Sequence, residues 1–210
     1  MGVAEDGPRF AQPLRESDID QDPFRQFAMW FEQARASGVR MPEAAALATA
    51  TLDGVPSLRM VLVKESAASG FVFYSNFHSR KGEELAANPH AALLFYWDPL
   101  GRQVRIDGEV RRLSEAESAC YIRTRPRGSQ LSALASPQSR VVESRAWLEQ
   151  RVAELTAQYG DGEPPLPDGW GGFVVAPRTI EFWQHREDRL HDRLLYTRDG
   201  GRWQIERLAP

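Results

Sequence analysis

The 210 residues contain one cysteine, Cys120, so no disulfide can form within the chain, which suits a reducing compartment. Basic residues are not in surplus: 26 Lys and Arg stand against 29 Asp and Glu, a formal net charge of −3. No global positive field recruits nucleic acid or an anionic membrane, and any anion binding must come from local clusters. No apolar run approaches the roughly 20 residues of a membrane span. Residues 1–12 lack the basic start and apolar stretch of a secretory signal. A cytoplasmic protein with neither membrane nor nucleic-acid partner is the expectation. Familiar catalytic signatures are missing too: there is no Gly-x-Ser-x-Gly elbow, no Walker loop and no Gly-x-Gly-x-x-Gly turn. His185 and His191 are spaced unlike any recognised zinc pair, so no metal site is expected.

What is present begins with organisation. Residues 1–21 are polar with little periodicity and read as a mobile tail, leaving 22–210 as a single domain. Asp22-Pro23 suits a helix start. Phe24, Phe27, Phe31 and Ala34 then repeat at helical spacing up to Gly38. Short β-prone runs follow at 46–52, 57–64, 70–75, 91–97 and 103–113, with Asp53-Gly54 as a hairpin signal between the first two. One short helix, 79–88, interrupts them. Helical patterns at 114–125, 129–135 and 143–159 precede a Gly/Pro-rich loop and strands at about 172–184, 189–197 and 203–207. Closely spaced strands with few helices among them predict an α+β chain built on an antiparallel barrel. Cys120 falls within a helix and reads as a buried small hydrophobe.

Four basic clusters carry the chemistry. Arg59-Met-Val-Leu-Val-Lys64 reads as a buried strand with a cation at each end. Arg59 and Lys64 fall on opposite faces and meet one ligand only at strand ends or across a bulge. Tyr74-Ser-Asn-Phe-His-Ser-Arg-Lys81 leaves a strand and enters a helix behind an N-cap, Ser79. Cations in a first helical turn oppose the helix dipole unless an anion sits at the free N–H groups, which points to a phosphorylated ligand. In Tyr121-Ile-Arg-Thr-Arg125-Pro-Arg-Gly-Ser129, Tyr121 and Arg125 share a helix face, and Ser129 can cap the next helix. Basic residues at a helix end are ordinary; a guanidinium, a phenol and a hydroxyl converging on one phosphate is the functional alternative. Last comes Trp183-Gln-His-Arg-Glu-Asp-Arg189-Leu-His191-Asp-Arg193. Read as a strand from Arg189, it puts Arg189, His191 and Arg193 on one face, either solvated or around an anion.

In order along the chain, with Arg102-Gln103-Val104 and Pro137-Gln138-Ser139-Arg140 between them, these segments resemble the pyridoxine (pyridoxamine) 5′-phosphate oxidase family over nearly the whole length. The resemblance implies an FMN-binding split β-barrel, a homodimer with FMN at the subunit interface. Its implied activity is oxidation of pyridoxine or pyridoxamine 5′-phosphate to pyridoxal 5′-phosphate, with O2 as acceptor and H2O2 as product, ammonia leaving as well from the amine. Carried over by motif, the FMN contacts are Arg59, Met60, Val61, Leu62, Val63, Lys64, Tyr74, Ser75, Arg80, Lys81, Gln103, Gln138, Ser139, Trp183 and Arg193. Substrate contacts are Lys64, Tyr121, Arg125 and Ser129 at its phosphate, with Arg189, Leu190 and His191 beside the ring; Arg189 and His191 are the candidate catalytic pair. One element of the family pattern is missing. Many members carry an Arg-x-x-Tyr segment near the N-terminus that closes over the substrate, whereas residues 1–21 hold Arg9 and Arg15 and no tyrosine. A phenazine-biosynthesis-type flavin oxidase and a non-catalytic FMN- or pyridoxal-phosphate-binding barrel are the alternatives.

Overall fold

The computed structural model describes residues 13–210. Helix α1 (Pro23–Ala36) starts where expected: the Asp22 carboxylate accepts the Phe24 backbone N–H at 2.9 Å, and Pro23 takes the first position, where no N–H is missed. Just beyond its end, Gly38 adopts φ +82°, a left-handed turn that glycine tolerates.

The strands among the described residues are β1 (Ala44–Ala50), β2 (Pro56–Ala67), β3 (Gly70–Asn76), β4 (His90–Trp97), β5 (Arg102–Arg112), β6 (Trp170–Gln184), β7 (Asp192–Asp199) and β8 (Arg202–Arg207). They pair antiparallel in the order β3-β2-β1-β4-β5-β6-β7-β8, and β6 also pairs with β3. That extra pairing closes six strands into a barrel. Length lets β6 do this: residues 170–175 lie against β3, while 179–184 lie against β7. β7 and β8 therefore leave the barrel wall as a hairpin. Helices α2 (Arg80–Ala87), α3 (Glu115–Thr124), α4 (Arg127–Ala135) and α5 (Arg145–Tyr159) flank it. The α+β split-barrel expectation holds.

The core is aromatic. Helix α1 lays Phe27 across the barrel, its ring 5.0 Å from both Phe71 and Phe95, and packs Trp30 edge-on to Phe182 at 5.1 Å. Leu131, Ala135 and Leu155 form a smaller cluster that joins α4 to α5. Among the described residues, no helix is long and apolar enough to cross a membrane.

Several local expectations need correction. β2 buries one face only: Leu58 and Met60 are 70% and 64% exposed, because alternate side chains point away from the barrel and nothing on this chain covers them. The segment at Arg189 is a turn rather than a strand, with Asp188 and Arg189 both left-handed (φ 54° and 61°) and β7 starting at Asp192. Arg189, His191 and Arg193 thus do not line one strand face, an arrangement that would crowd three cationic or titratable groups together. Cys120 is exposed, not buried. Ser118 and Ile122 form the buried stripe of α3, and Cys120 falls between them on the opposite side. Pro126, rather than Ser129, occupies the N-cap of α4.

Of the expected tail 1–21, residues 1–12, including Arg9, lie outside the described residues. Residues 13–21 lie on the barrel. The Leu14 N–H donates to Asp192 at 3.1 Å, Arg207 pairs with Glu16 at 2.7 Å, and the Tyr196 hydroxyl donates to the Asp20 carbonyl at 2.6 Å. Leu14 and Ile19 are buried there.

Removing the Phe27 ring leaves a cavity bounded by Phe71, Phe95 and Trp97. Phe27→Ala should cost about 3–5 kcal/mol in urea unfolding; a loss under about 1 kcal/mol would show that α1 is not part of the core.

Candidate active site

Strands β2 and β3 and helices α2, α3 and α4 enclose a cleft of ≈ 630 Å³, a size that holds a cofactor or small ligand. β2 supplies Met60, Val61, Leu62 and Lys64, and β3 supplies Tyr74 and Ser75. Lys81 enters from α2, Tyr121 and Arg125 from α3 and its end, Ser129 from α4, and Gln138 from the loop after α4. The β2–β3 register shifts between Val63 and Glu65, so Lys64 stands at a bulge. Its ammonium faces Glu43 at 3.8 Å.

Lys81 is 9% exposed and makes no ion pair among the described residues. Its Nζ instead donates to Ser75 Oγ (3.0 Å), Ser79 Oγ (3.1 Å) and Gln138 Oε1 (2.9 Å). Burial, together with the charge of Arg59, pulls its pKa down to about 8 against the opposing pull of Glu84. Arg80 and Arg59 stand beside it, held by the buried Glu84. Arg59 does not line the cleft: its Nη1 donates to Thr49 Oγ1 at 2.6 Å and to the Leu47 carbonyl at 3.2 Å. Val63 turns into the core, and Ser139 lies exposed at φ 69° outside the cleft lining.

In the same cleft lining the rings of Tyr74 and Tyr121 stack with centroids 3.7 Å apart, and Trp170 continues the stack 5.5 Å from Tyr74. Arg125 lies over the Trp170 ring at 5.4 Å, a contact that fixes a guanidinium without neutralising it. Its position follows from Pro126, which ends α3 and holds Arg125 extended (ψ 149°). Arg125 pairs with no carboxylate, and the Ser129 and Tyr121 hydroxyls make no hydrogen bond, among the described residues. Burial, with help from Glu65, raises the Tyr74 phenol to about 12. Burial also raises Tyr121, although Arg125 opposes it, so both phenols remain donors. A guanidinium and two hydroxyl donors without acceptors are what an anionic oxygen needs.

The remaining expected residues gather elsewhere. Gln103, Trp183 and Arg193 stand opposite one another on β5, β6 and β7, a row across the sheet. The His191 ring lies 4.5 Å from Trp183, and its Nδ1 accepts the Arg186 backbone N–H at 3.1 Å. Burial lowers its pKa, and the neighbouring His185 and Arg189 lower it further. Arg189 and Leu190 are exposed on the turn before it. Arg193 also borders a second hollow of ≈ 520 Å³, shared with Leu58. Leu58 belongs to the same outward face of β2 as Met60 and Leu62. The outer barrel wall thus connects the two groups, but one chain does not bring them into one cleft.

Three contributors were not singled out from the sequence. Trp170 gave no signal, sitting at the end of a Gly/Pro-rich loop. Glu84 is four residues after Arg80 on α2, a spacing that could have flagged it. Glu181 shares a strand face with Trp183 and accepts from Arg193 (2.7 Å) and Arg105 (3.2 Å); alternation along β6 could have found it.

Residues 31–159 match the family described as pyridoxamine 5′-phosphate oxidase, and residues 170–210 match the pyridoxine 5′-phosphate oxidase C-terminal dimerisation region. The pyridoxine/pyridoxamine 5′-phosphate oxidase of Rubrobacter xylanophilus is 55% identical over 197 residues, covering 94% of this chain and 91% of that protein. Its Salinibacter ruber namesake is 53% identical over 200 residues, covering 94% and 93%. Among solved structures, PhzG from Burkholderia lata, in complex with tetrahydrophenazine-1-carboxylic acid, superposes with a TM-score of 0.90 at 34% identity, over 97% of this chain and all of that one. An FMN-binding protein from Nostoc punctiforme shares the fold at 17% identity (TM-score 0.71; 90% of this chain and 98% of that one).

An anion beside Lys81 favours the charged ammonium and raises its pKa above the free value near 8. Affinity is therefore full below that pH and falls as pH rises through it. Sulfate does not titrate in this range. Its calorimetric affinity should drop by up to about tenfold per pH unit above 8, and Lys81→Gln should remove the slope. A flat wild-type profile would reject this role for Lys81.

Proposed function

The chain belongs to the pyridoxamine 5′-phosphate oxidase family, and from that premise we propose that it oxidises pyridoxine 5′-phosphate, pyridoxamine 5′-phosphate or both to pyridoxal 5′-phosphate, using FMN and O2. The observation that carries this reading is one cleft lined by two groups of donors suited to anions: Lys81 with Ser75 and Gln138, and Arg125 with Tyr121 and Ser129. Two phosphorylated ligands side by side account for both. They also account for strong local positive charge on a chain that is acidic overall.

The residues fit a phosphorylated flavin. A buried ammonium held only by hydroxyl and amide oxygens awaits a counter-charge, which the flavin phosphate would supply. When bound, FMN would supply the acceptor for a hydride from the substrate's C4′ carbon and the route by which the electrons reach O2 to give H2O2. The chain orients and holds. Lys81 would secure the flavin phosphate, supported by the charges of Arg80 and Arg59 beside the cleft, with Gln103, Gln138, Trp183 and Arg193 along the ring system. Lys64, Tyr121, Arg125 and Ser129 would hold the substrate phosphate, and two fixed ends leave the reacting carbon little freedom. Arg189 and His191 would stand beside the pyridine ring. Because His191 Nδ1 accepts a backbone N–H, the neutral ring carries its proton on Nε2 and can donate from there.

The proposal includes a homodimer, the class of contact that the matched C-terminal region is described by. The exposed outer face of β2, with Leu58, Met60 and Leu62, and nearby Tyr96 offer an apolar surface for it. In that assembly the row Gln103–Trp183–Arg193 and the turn at Arg189 would complete the partner's cleft. Residues 22–210 would form one domain, and a cytoplasmic location suits the lone Cys120. PhzG is the second reading, given its 34% identity. The acid in its complex has no phosphate to occupy a clamp such as Tyr121, Arg125 and Ser129, which favours the phosphorylated substrate.

Mixing FMN-loaded protein anaerobically with each phosphorylated vitamer should bleach the flavin absorption. Admitting air should restore it with pyridoxal 5′-phosphate and peroxide formed; a flavin that stays yellow with both vitamers would reject the oxidase. The lowered pKa of His191 adds a pH signature. Its neutral form persists to below the ordinary value of 6.5, so turnover should be retained down to that pH and fall beneath it. In His191→Asn that acid limb should vanish along with much of the rate. An unchanged limb in the variant would assign the titration to another group.

A further inference from the structure

Helix α2 buries a carboxylate against Arg59 and Arg80, the cations beside the cleft, and no part in the reaction above is assigned to it. Glu84 is 6% exposed, yet four donors converge on it. The Thr49 and Ser57 hydroxyls each donate to Oε2 at 2.5 Å, Arg59 Nη2 lies 3.4 Å away, and Arg80 Nε donates to Oε1 at 2.9 Å. Arg59 comes from β2 and Arg80 from α2, so Glu84 ties together two elements that carry like charges. Without it those charges would repel, and the surface position of Arg80, 60% exposed, would be free to swing. Burial alone would push the Glu84 carboxyl up. The hydrogen bonds from Ser57, Thr49 and Arg80, with the charge of Arg59, overcome burial and hold it at about 2, ionised throughout the working range. Three cations (Arg59, Arg80 and Lys81) against one carboxylate leave a surplus of two positive charges. That surplus matches the dianion of a phosphate monoester.

We infer that Glu84 is a positioning residue that fixes Arg59 and Arg80 so that the cluster grips the phosphate end of FMN. The inference rests on the FMN reading above. It separates from a merely structural role, because a carboxylate that only braced the barrel would matter equally to a flavin lacking the phosphate.

The full chain, freed of flavin, can be titrated with FMN and with riboflavin by quenching of flavin fluorescence. Wild type should prefer FMN strongly. Glu84→Gln keeps one acceptor oxygen but turns an amide donor toward the cations. It should lose roughly ten- to a hundredfold in FMN affinity, while riboflavin affinity stays within about twofold. If Glu84→Gln does not fold, Glu84→Asp carries the test. Its charge is kept but withdrawn by one methylene, and FMN affinity should fall at least about threefold with riboflavin unchanged. Equal losses for both ligands, or an undiminished FMN preference in the folded variant, overturn the inference. A wild type that binds FMN and riboflavin alike overturns instead the reading that this cluster receives the flavin phosphate.

Discussion

Strand β6 serves two partners in succession, and both groups of candidate site residues depend on that sharing. Its first residues pair with β3 and close the barrel; its last pair with β7 and carry the sheet beyond it. Closure needs an uncommonly close approach at the start of β6. A Cβ on Gly172 would come within 2.6 Å of Leu113 Cδ1 and 3.0 Å of Tyr74 Cε1, and one on Gly171 within 2.5 Å of Phe77 Cζ. Two glycines therefore let β3 and α3 draw together, and that contact stacks Tyr74 on Tyr121 with Trp170 alongside. Further along the same strand, Trp183 joins Gln103 and Arg193 in one row. One strand thus sets both the floor of the cleft and the row that faces outward.

Charge is organised in the same economical way. Each cation group rests on a single buried glutamate, Glu84 beneath Arg59 and Arg80, and Glu181 beneath Arg105 and Arg193. A buried carboxylate without partners is costly, and clustered guanidinium groups repel. Brought together they satisfy one another and leave the cations aimed and still in excess. Lys81 and Arg125 are the exceptions, held by neutral oxygens and by an indole face. Their charge remains available to a ligand.

Much of this was legible in the sequence, for identifiable reasons. Asp22-Pro23, the spaced phenylalanines and Asp53-Gly54 mark α1 and the β1–β2 hairpin because each signal is local and its physics acts within a few residues. The ordered basic segments named the family, and the cleft gathers Lys64, Tyr74, Ser75, Lys81, Tyr121, Arg125, Ser129 and Gln138 from them. What stayed hidden depends on distant partners. The outward face of β2 is as apolar as its inward one, so its pattern could not show that one side is uncovered. The turn at Asp188 and Arg189 uses left-handed backbone on residues that do not advertise it. Residues 13–21 looked featureless because Asp192, Tyr196 and Arg207, which hold them, lie at the other end of the chain.

The β3–β6 pairing also governs how the molecule can be made. Phe71 pairs with Val175, so the closing ladder joins positions about a hundred residues apart, the kind of non-local contact that forms slowly. During synthesis β3 has its β6 edge unpaired until the last fifth of the chain has left the ribosome, with α3, α4 and α5 already complete. An unpaired, largely buried strand of Phe, Val and Tyr is the segment most exposed to wrong partners in that interval. Any ligand that needs Trp170 beside Tyr74 must wait for the same pairing.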